Sequence, residues 1–336
     1  MRERSLEGRQ DRVEGWFPLA RAPIVVTGVA RAGTSWVAEM IKASGRFVHL
    51  NEPVNPKHPP GLCPGILNAP VPHMYLYVSE ANEALYRRAF FDMLSFRYHP
   101  IAEVRRNRAP FDLAKMGKYW SAFLVGRLCR RRALLDDPYA AFASGWLART
   151  FGARVIVLVR RPEAMVASYR RLGYKMDFHN FLAQPHLMRE HLEPSRSAME
   201  STPSDDGDVV GQVSLLWRAV YGFLAEEAQR QPDLLEVVRY EDLSREPVSA
   251  YAALYQAIGL PFTPAVEAEV VRATSGGSQG GSHVWRLSRR GLLSRTAFRP
   301  MDSRANLESW KALIDPSEEA RIRELTAPVL DRFYPE

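Results

Sequence analysis

The hydrophobic positions of this chain fall into two alternating kinds of segment. Five short apolar runs have the length and continuity of buried strands, at residues 24–27, 46–52, 133–136, 155–159 and 235–240. Longer stretches repeat their apolar residues at helical spacing, at 34–41, 79–99, 138–150, 162–169, 213–229, 248–258, 264–274 and 316–333. Strands that alternate with helices predict a central parallel sheet with helices on both faces, a three-layer α/β/α fold.

The turn after the first run is the most informative stretch of the chain. Gly28 and Gly33 bracket it, and Thr34 and Ser35 begin the helix that follows. This arrangement forms an anion-binding cradle, because unpaired backbone N–H groups and the positive end of the helix dipole point to one place. The spacing Gly-x4-Gly-x-Ser is that of a phosphate-binding P-loop, but Thr34 stands where that motif has Lys, and Arg31 lies inside the turn instead.

A second anion site is predicted at the end of the fourth run. Arg160 follows residues 155–159 directly, and Ser168 comes eight residues later, about two helical turns on. A guanidinium and a hydroxyl so placed can bind one anion. A cation at this strand end does not suit Mg²⁺, so the predicted ligand is a nucleotide with an extra phosphate, bound without a metal. The alternative is an arginine that caps the sheet edge and a serine that faces solvent.

Composition and charge exclude some classes of protein. The chain has 336 residues, 46% of them hydrophobic, and a net charge of +7, which favours anionic partners. Its two cysteines have no ligand spacing, so neither a disulfide framework nor a zinc site is predicted. The charged N-terminus lacks the apolar region of a signal peptide, and no run is long enough to span a bilayer. We therefore expect a cytoplasmic protein without a transmembrane segment.

The weakly patterned stretches define the domain organisation. Residues 1–20 are predicted to be a mobile charged leader, and residues 21–336 a single domain. A loop rich in proline and glycine covers 53–73, and residues 170–212 lose their apolar rhythm, which predicts a flexible insertion or lid. Together with the Gly/Ser-rich stretch 275–282, these are the parts where an acceptor substrate is expected to bind.

Four segments together resemble the sulfotransferases that use 3′-phosphoadenosine 5′-phosphosulfate (PAPS). Residues 26–36 are similar to the 5′-phosphosulfate loop of that family, and residues 159–162 with Ser168 are similar to its 3′-phosphate motif. Residues 135–138 and 238–243 match two further markers, and all four occur in the family's order. The resemblance implies a P-loop NTPase-like topology in which helical and loop insertions form the acceptor site.

The resemblance also implies a role for each matching position. Four consecutive residues would hold the 5′-phosphosulfate through their backbone and hydroxyl groups: Ala32, Gly33, Thr34 and Ser35. Trp36 would lie against the adenine, and Tyr240 would line its pocket. Arg160 and Ser168 would bind the 3′-phosphate, and Arg31 would stabilise charge on the leaving phosphate oxygen. Sulfuryl transfer needs alignment and charge stabilisation more than covalent chemistry, so these cations would make a metal unnecessary.

A basic element late in the chain extends the resemblance. Residues 288–291 read Ser-Arg-Arg-Gly and resemble a family element that closes over the 3′-phosphate. By that resemblance Arg289, Arg290 and Gly291 would also contact the cofactor. A solvated basic loop is the alternative, because a Gly/Ser-rich stretch precedes the element and the next tryptophan is distant.

The acceptor hydroxyl must lose a proton, so a general base is needed within hydrogen-bond reach. Small-molecule members of the family place a histidine shortly before a proline, where this chain has Asp136 and Asp137 before Pro138. Carbohydrate- and protein-modifying members place a glutamate after the second strand, where this chain has Glu52 followed by Pro53. We predict Glu52 as the base, with Asp137 as the alternative. A carboxylate that caps the following loop is the other interpretation of Glu52.

The predicted function is transfer of a sulfuryl group from PAPS to an acceptor hydroxyl, with release of 3′,5′-ADP. The acceptor would be a carbohydrate, a lipid or another small molecule, with anionic molecules and glycans as candidates. Two alternatives are a P-loop nucleotide kinase with a degenerate loop and a basic nucleic-acid-binding module. Thr34 argues against the first, and arginines scattered without a recognisable binding fold argue against the second. We expect no nucleic-acid partner.

Overall fold

One parallel sheet forms the centre of the protein. The computed structural model describes residues 19, 21–57, 64–106, 110–203, 207–275, 304 and 307–335. Within these ranges five strands pair in the order β2-β3-β1-β4-β5, all parallel. The strands are β1 (Ile24–Gly28), β2 (Phe47–Asn51), β3 (Arg132–Asp136), β4 (Arg154–Val159) and β5 (Leu235–Arg239). Each coincides with one of the five predicted runs to within a few residues.

Helices fill most of the chain between and after the strands. The first half contains α1 (Thr34–Lys42), α2 (Glu83–Leu94), α3 (Pro100–Arg106), α4 (Pro110–Leu128) and α5 (Ser144–Phe151). Between β4 and β5 lie α6 (Pro162–Leu172), α7 (His179–Leu182), α8 (Pro185–Leu187), α9 (Arg196–Glu200) and α10 (Val209–Arg230). After β5 come α11 (Tyr240–Arg245), α12 (Pro247–Ala257), α13 (Pro264–Thr274) and α14 (Pro316–Leu330).

The strand order explains why helices cover both faces of the sheet. The crossover from β1 through α1 to β2 runs in one direction along the sheet, whereas those from β3 to β4 and from β4 to β5 run in the other. Since such crossovers are almost always right-handed, opposite directions place their helices on opposite faces. Side-chain contacts agree: Tyr255 of α12 donates to the carbonyl of Met40 in α1, while Arg149 of α5 pairs with Glu227 of α10. The predicted three-layer α/β/α fold is confirmed.

The strands β1 and β4 are buried along almost their whole length. All five residues of β1 are buried, as are the last five of β4. Full burial of one Val, Leu or Ile side chain contributes about 1.5–3 kcal/mol to folding, so these short strands hold the sheet together. The strand end that carries the glycine-bracketed turn is thereby fixed at the centre of the carboxyl edge, with β3 on one side and β4 on the other.

Two predicted helices have different limits in the structure. The stretch 79–99 forms only α2, whose N-cap residue is Asn82. The Asn82 side chain accepts a hydrogen bond from the Ser79 backbone N–H at 2.9 Å. The stretch 138–150 is divided into a 3₁₀ segment, Pro138–Ala143, and α5. Asp137 caps the 3₁₀ segment by accepting from the Tyr139 backbone N–H, which tightens the turn at the strand end.

The stretch 170–212 is folded where the structure describes it. Although the stretch lacks a clear apolar rhythm, it contains α7, α8 and α9, with a short π segment and a short 3₁₀ segment between α8 and α9. Each element is too short to show a helical period, yet Phe181, Leu187 and Met188 are completely buried. Gln184 ties the segment to the core by donating to the Tyr75 carbonyl at 3.1 Å. A role as a lid stays a prediction.

Candidate active site

Two buried tyrosines hold the loop between β1 and α1 in place. The Tyr221 hydroxyl, from α10, accepts a hydrogen bond from the Val29 backbone N–H at 3.3 Å and donates to the Leu158 carbonyl at 2.8 Å. The Tyr75 hydroxyl accepts from the Ala30 backbone N–H at 3.2 Å. The first half of the loop is therefore anchored by one side chain of α10 and one side chain of the 64–82 stretch. Neither tyrosine was identified from the sequence.

The second half of the loop keeps its backbone donors available. Within the described residues, the backbone N–H groups of Gly33, Thr34 and Ser35 donate to no protein acceptor, as expected at a helix N-terminus. Gly33 has φ 109°, and a Cβ there would lie only 3.0 Å from the Tyr240 ring. Glycine is therefore required both by the backbone conformation and by the close approach of Tyr240. The predicted anion cradle is present.

Three residues around this cradle have a backbone conformation that is costly for residues other than glycine. Arg31 has φ 80°, Glu52 has φ 51° and Tyr75 has φ 60°, all in the left-handed region. Such conformations cost about 1–3 kcal/mol each and collect at functional sites, where the surrounding structure enforces them. Arg31 and Glu52 are also close enough for the guanidinium to oppose the rise in the pKa of the Glu52 carboxyl. The strained positions mark one site.

The predicted 3′-phosphate residues lie beside this loop. The Arg160 side chain donates to the Arg31 carbonyl at 3.2 Å, and its guanidinium lies 4.5 Å from the centre of the Tyr240 ring. Arg160 Nε and the Ser168 hydroxyl are both buried without a hydrogen-bond partner among the described residues. Unpaired buried polar groups cost free energy, so a ligand that supplies acceptors would stabilise both atoms. The contact with the Arg31 carbonyl places Arg160, from the second predicted anion site, beside the first.

The aromatic residues form a layer next to the cradle. Trp36 and Tyr240 have ring centroids 5.9 Å apart, and Trp36 also contacts Tyr251 edge-on at 5.8 Å. Trp36 and Tyr240 are both almost completely buried, at 6% exposure each. Trp36 thus packs within the protein, while Tyr240 extends between Gly33 and Arg160. A flat base placed near the cradle would meet this layer.

Glu52 lies at the end of β2 with its carboxylate only partly satisfied. Its Oε2 accepts a hydrogen bond from the Asn55 side chain at 2.6 Å. Burial raises the pKa of the Glu52 carboxyl, and the nearby Asp136 carboxylate raises it further, against the lowering effects of Asn55 and Arg31. A half-buried carboxylate with a raised pKa is suited to proton transfer near neutral pH.

Asp137 lies at the neighbouring strand end but is fully engaged by the backbone. One of its oxygens accepts from the Val54 N–H at 2.6 Å and the other from the Tyr139 N–H at 2.9 Å. The residue is completely buried, and burial together with the Glu52 charge raises the pKa of its carboxyl. Its hydrogen bonds fix the loop after Glu52 and the turn after β3. The contacts favour a structural role over that of an acceptor base.

A third carboxylate, Asp136, was not assigned a role from the sequence. It is completely buried, and neither of its oxygens has a hydrogen-bond partner among the described residues. The His49 ring lies between two carboxylates, with its Nε2 3.5 Å from Asp136 Oδ2 and its Nδ1 3.8 Å from Glu39. The pairing of β2 with β3 produces this arrangement, so a sequence pattern along one strand could not reveal it. Its main effect on the site is to raise the pKa of Glu52.

Some predicted features fall outside the described part of the chain. Arg289, Arg290 and Gly291 lie there, so the predicted late basic element has no structural account. Among the residues that the structure describes, no cluster of His, Cys, Asp and Glu could hold a metal ion. No helix in the same ranges is both long enough and apolar enough to cross a membrane.

Comparisons with solved structures return sulfotransferases at low sequence identity. A sulfotransferase domain from the curacin biosynthetic pathway is 15% identical with a TM-score of 0.46, over 91% of this chain and 98% of that one. A sulfotransferase domain from the Synechococcus PCC 7002 olefin synthase is 16% identical with a TM-score of 0.43, over 93% and 98%. The mouse sulfotransferase SULT7A1, solved with PAP, is 13% identical with a TM-score of 0.46, over 94% and 85%.

The family is shown by the sequence itself. A comparison with curated proteins found no match. The family model described as Sulfotransferase family, however, matches residues 23–264, well over half of the chain. The matched region begins just before β1 and ends at the start of α13, so it contains the loop, Glu52, Arg160, Ser168 and Tyr240. This chain therefore belongs to the sulfotransferase family.

Proposed function

We propose that the protein transfers a sulfuryl group from PAPS to an acceptor hydroxyl and releases 3′,5′-ADP. The observation that carries this proposal is the pair of buried, unpartnered polar atoms, Arg160 Nε and Ser168 Oγ, next to a loop with free backbone N–H groups. A nucleotide with a single phosphate chain needs only the loop. A second set of donors beside it fits a ligand that carries a separate 3′-phosphate.

The loop would bind and orient the donor end of the cofactor. The backbone N–H groups of Gly33, Thr34 and Ser35, at the positive end of the α1 dipole, supply donors for the phosphosulfate. Tyr221 and Tyr75 fix the loop through Val29 and Ala30, so the donors are already in position before binding. Such preorganisation aligns donor and acceptor without rearrangement during the reaction.

Arg31 would act on the charge that develops during transfer. In this reaction the bond between sulfur and the bridging phosphate oxygen breaks while a bond from the acceptor oxygen to sulfur forms. Negative charge then grows on the released phosphate, and a guanidinium in the loop stabilises it. Arg160 contacts the Arg31 carbonyl, which links the second anion site directly to this residue.

Glu52 would accept the proton of the acceptor hydroxyl. Glu52 lies close enough to Arg31 for their charges to interact, so base and cation would both meet the reacting group, and the raised pKa of Glu52 would improve its strength as a base. Asp137 would instead hold the loop that carries Glu52, because both of its oxygens already accept backbone hydrogen bonds. Arg31 and the helix dipole provide the positive charge, so the proposal assigns no role to a metal.

The direct test is turnover with ³⁵S-labelled PAPS against a panel of glycans, lipids and phenols. We expect labelled product and an equal amount of 3′,5′-ADP with at least one acceptor class, and loss of both in the Arg31→Ala variant. Arg171→Ala is the matched control, because Arg171 is an exposed arginine in the last turn of α6. Absence of labelled product across the panel, together with absence of 3′,5′-ADP binding, would contradict the proposal.

A further inference from the structure

The surface formed by α3 and α4 is far more apolar than the rest of the described surface. Seven of the eleven exposed large hydrophobic side chains in the described ranges belong to these two helices: Ile101, Val104, Leu113, Trp120, Leu124, Val125 and Leu128. We call this surface the α3–α4 face. The exposed apolar side chains of this face are concentrated on two neighbouring helices, whereas exposed apolar residues are normally scattered singly over a protein surface.

The exposed stripe of α4 is separate from the side that packs on the core. Phe123 is buried, and Gly126 packs against Val48 of β2, so one side of α4 already has its partner. Trp120, Leu124 and Leu128 follow one another at four-residue spacing on another side, with exposures of 48%, 52% and 73%. About half or more of the surface of each of these side chains is exposed to solvent, so packing on the core does not account for their apolar character.

Trp120 joins the two helices into one continuous surface. Its ring stacks on Tyr98 at a centroid distance of 6.4 Å and an interplanar angle of 11°. Tyr98 lines a surface groove together with Ile101 and the exposed Arg105 and Arg106 of α3. The apolar stripe of α4 therefore continues into a groove with a basic wall.

Among the side chains that the structure describes, the exposed charges of this face have one sign. Those on α3 and α4 and directly after α4 are all basic: Arg105, Arg106, Lys118, Arg127 and Arg130. None of these five forms an ion pair with a described residue. The one acidic side chain described on these helices, Glu103, is buried and accepts from the Gly65 backbone N–H at 2.8 Å. The positive charge of the exposed basic side chains is therefore available to an external partner.

We propose that the α3–α4 face binds an anionic lipid surface. Exposed Leu and Trp side chains bordered by unpaired Arg and Lys are what an interfacial membrane contact requires, since the apolar groups enter the headgroup boundary and the cations meet lipid phosphates. Charge complementarity selects this occupant over a second copy of the chain, because two such faces would bring five exposed cations of one copy against five of the other.

The position of this face gives the contact a consequence for the site. Gly65, in the stretch that follows Glu52, donates to Glu103 and accepts from the His99 backbone N–H, so α3 is fixed to that stretch. A lipid surface on α3 would then lie next to residues 64–73, the described part of the stretch where an acceptor is expected. The binding itself does not depend on the proposed sulfotransferase activity.

The experiment is co-sedimentation of the full-length protein with vesicles of phosphatidylcholine alone or mixed with phosphatidylglycerol. We expect binding to the anionic vesicles, about tenfold weaker binding to the neutral ones, and a loss of binding as salt screens the charges. Leu124→Asp/Leu128→Asp should lose about tenfold or more in partitioning. Val271→Asp is the matched control, because Val271 is an exposed valine on α13, and it should bind as the native chain does.

A second variant distinguishes a loss of vesicle binding from a loss of folding. Arg105→Glu/Arg106→Glu changes only exposed side chains and should also lose binding to anionic vesicles while keeping the native circular dichroism spectrum and melting temperature. Failure of the native protein to bind anionic vesicles would overturn the proposal, as would equal binding by the Leu124/Leu128 variant and the Val271 control. A native dimer that this Leu124/Leu128 variant converts to a monomer, measured by light scattering, would assign the face to a second copy and overturn it too.

Discussion

The two sides of β1 at the carboxyl edge of the sheet carry opposite charge. Toward β3 and β2 lie three carboxylates, Glu52, Asp136 and Asp137, whereas toward β4 lie Arg160 and the Ser168 hydroxyl. The carboxylate side contains both predicted candidates for the base, and the β4 side contains two buried polar atoms, Arg160 Nε and Ser168 Oγ, without partners among the described residues. The contrast fits the proposal that the acceptor is activated on one side of the loop and the cofactor is held on the other.

On the carboxylate side, Glu52 and Asp137 differ in a way that favours a catalytic role for the first and a structural role for the second. Glu52 and Asp137 occupy neighbouring strand ends and burial raises the pKa of both, yet their partners differ. Glu52 contacts one side-chain amide, while both oxygens of Asp137 accept backbone N–H groups. A carboxylate held in this way by the backbone fixes a turn, and one with free capacity can accept a proton.

The largest expected effect is the loss of turnover in Glu52→Gln. Removal of a general base typically lowers kcat by about 10²–10⁴-fold, and Gln keeps the size and the hydrogen-bonding shape of Glu. Affinity for 3′,5′-ADP, measured by calorimetry, should stay within about twofold because Glu52 is on the other side of the loop. A turnover rate in Glu52→Gln equal to that of the native chain would show that Glu52 is not the base.

The pH dependence of native turnover should follow the protonation of Glu52. Only the deprotonated form is a base, so kcat/KM rises as pH passes upward through its pKa, and burial places that rise above the ordinary value of 4.5. Because the pKa of Glu52 is raised in the folded state, protonation of Glu52 stabilises the fold. This contribution to the free energy of unfolding is lost as pH rises from 4.5 through the raised pKa. At neutral pH, Glu52→Gln should therefore be at least as stable as the native chain. An acid limb centred below 4.5 would contradict this assignment.

Asp137→Asn should instead affect stability first. One of two backbone N–H donors, of Val54 or Tyr139, would then face an amide NH₂ group in place of an oxygen. An unsatisfied buried donor costs about 1–3 kcal/mol, which urea denaturation can measure. A variant with native stability and no turnover would reverse the roles assigned to Glu52 and Asp137.

The smallest expected effect concerns the anchoring of the loop. Tyr221→Phe removes a hydroxyl that accepts from Val29 and donates to Leu158, at a cost of about 0.5–1.5 kcal/mol for each hydrogen bond lost. Part of that cost should appear as weaker 3′,5′-ADP binding, since the loop becomes less ordered. Tyr255→Phe, which removes an equally buried hydroxyl between α12 and α1, is the control and should change stability alone.

The sequence predicted those features that depend on neighbours along the chain. The strands, the cradle and the pairing of Arg160 with Ser168 were predicted from apolar runs and fixed intervals. The structure confirms the sheet and places Arg160 beside the loop, while the pairing with Ser168 stays a prediction. Tyr75 and Tyr221 could not be found this way, because their loop partners are 45 and 192 residues distant. The short helices of 170–212 were missed because none is long enough to repeat an apolar position.

The measurement that tests the central claim most directly is calorimetry of 3′,5′-ADP against 5′-ADP with the native chain and Arg160→Ala. Arg160 and Ser168 should make 3′,5′-ADP bind about tenfold or more tightly, as charge-assisted hydrogen bonds contribute about 1.5–3 kcal/mol. Arg160→Ala should remove most of that preference, whereas Arg161→Ala should retain it, because its guanidinium lies over the Tyr334 ring instead. Equal affinity of the native chain for both nucleotides would contradict the account.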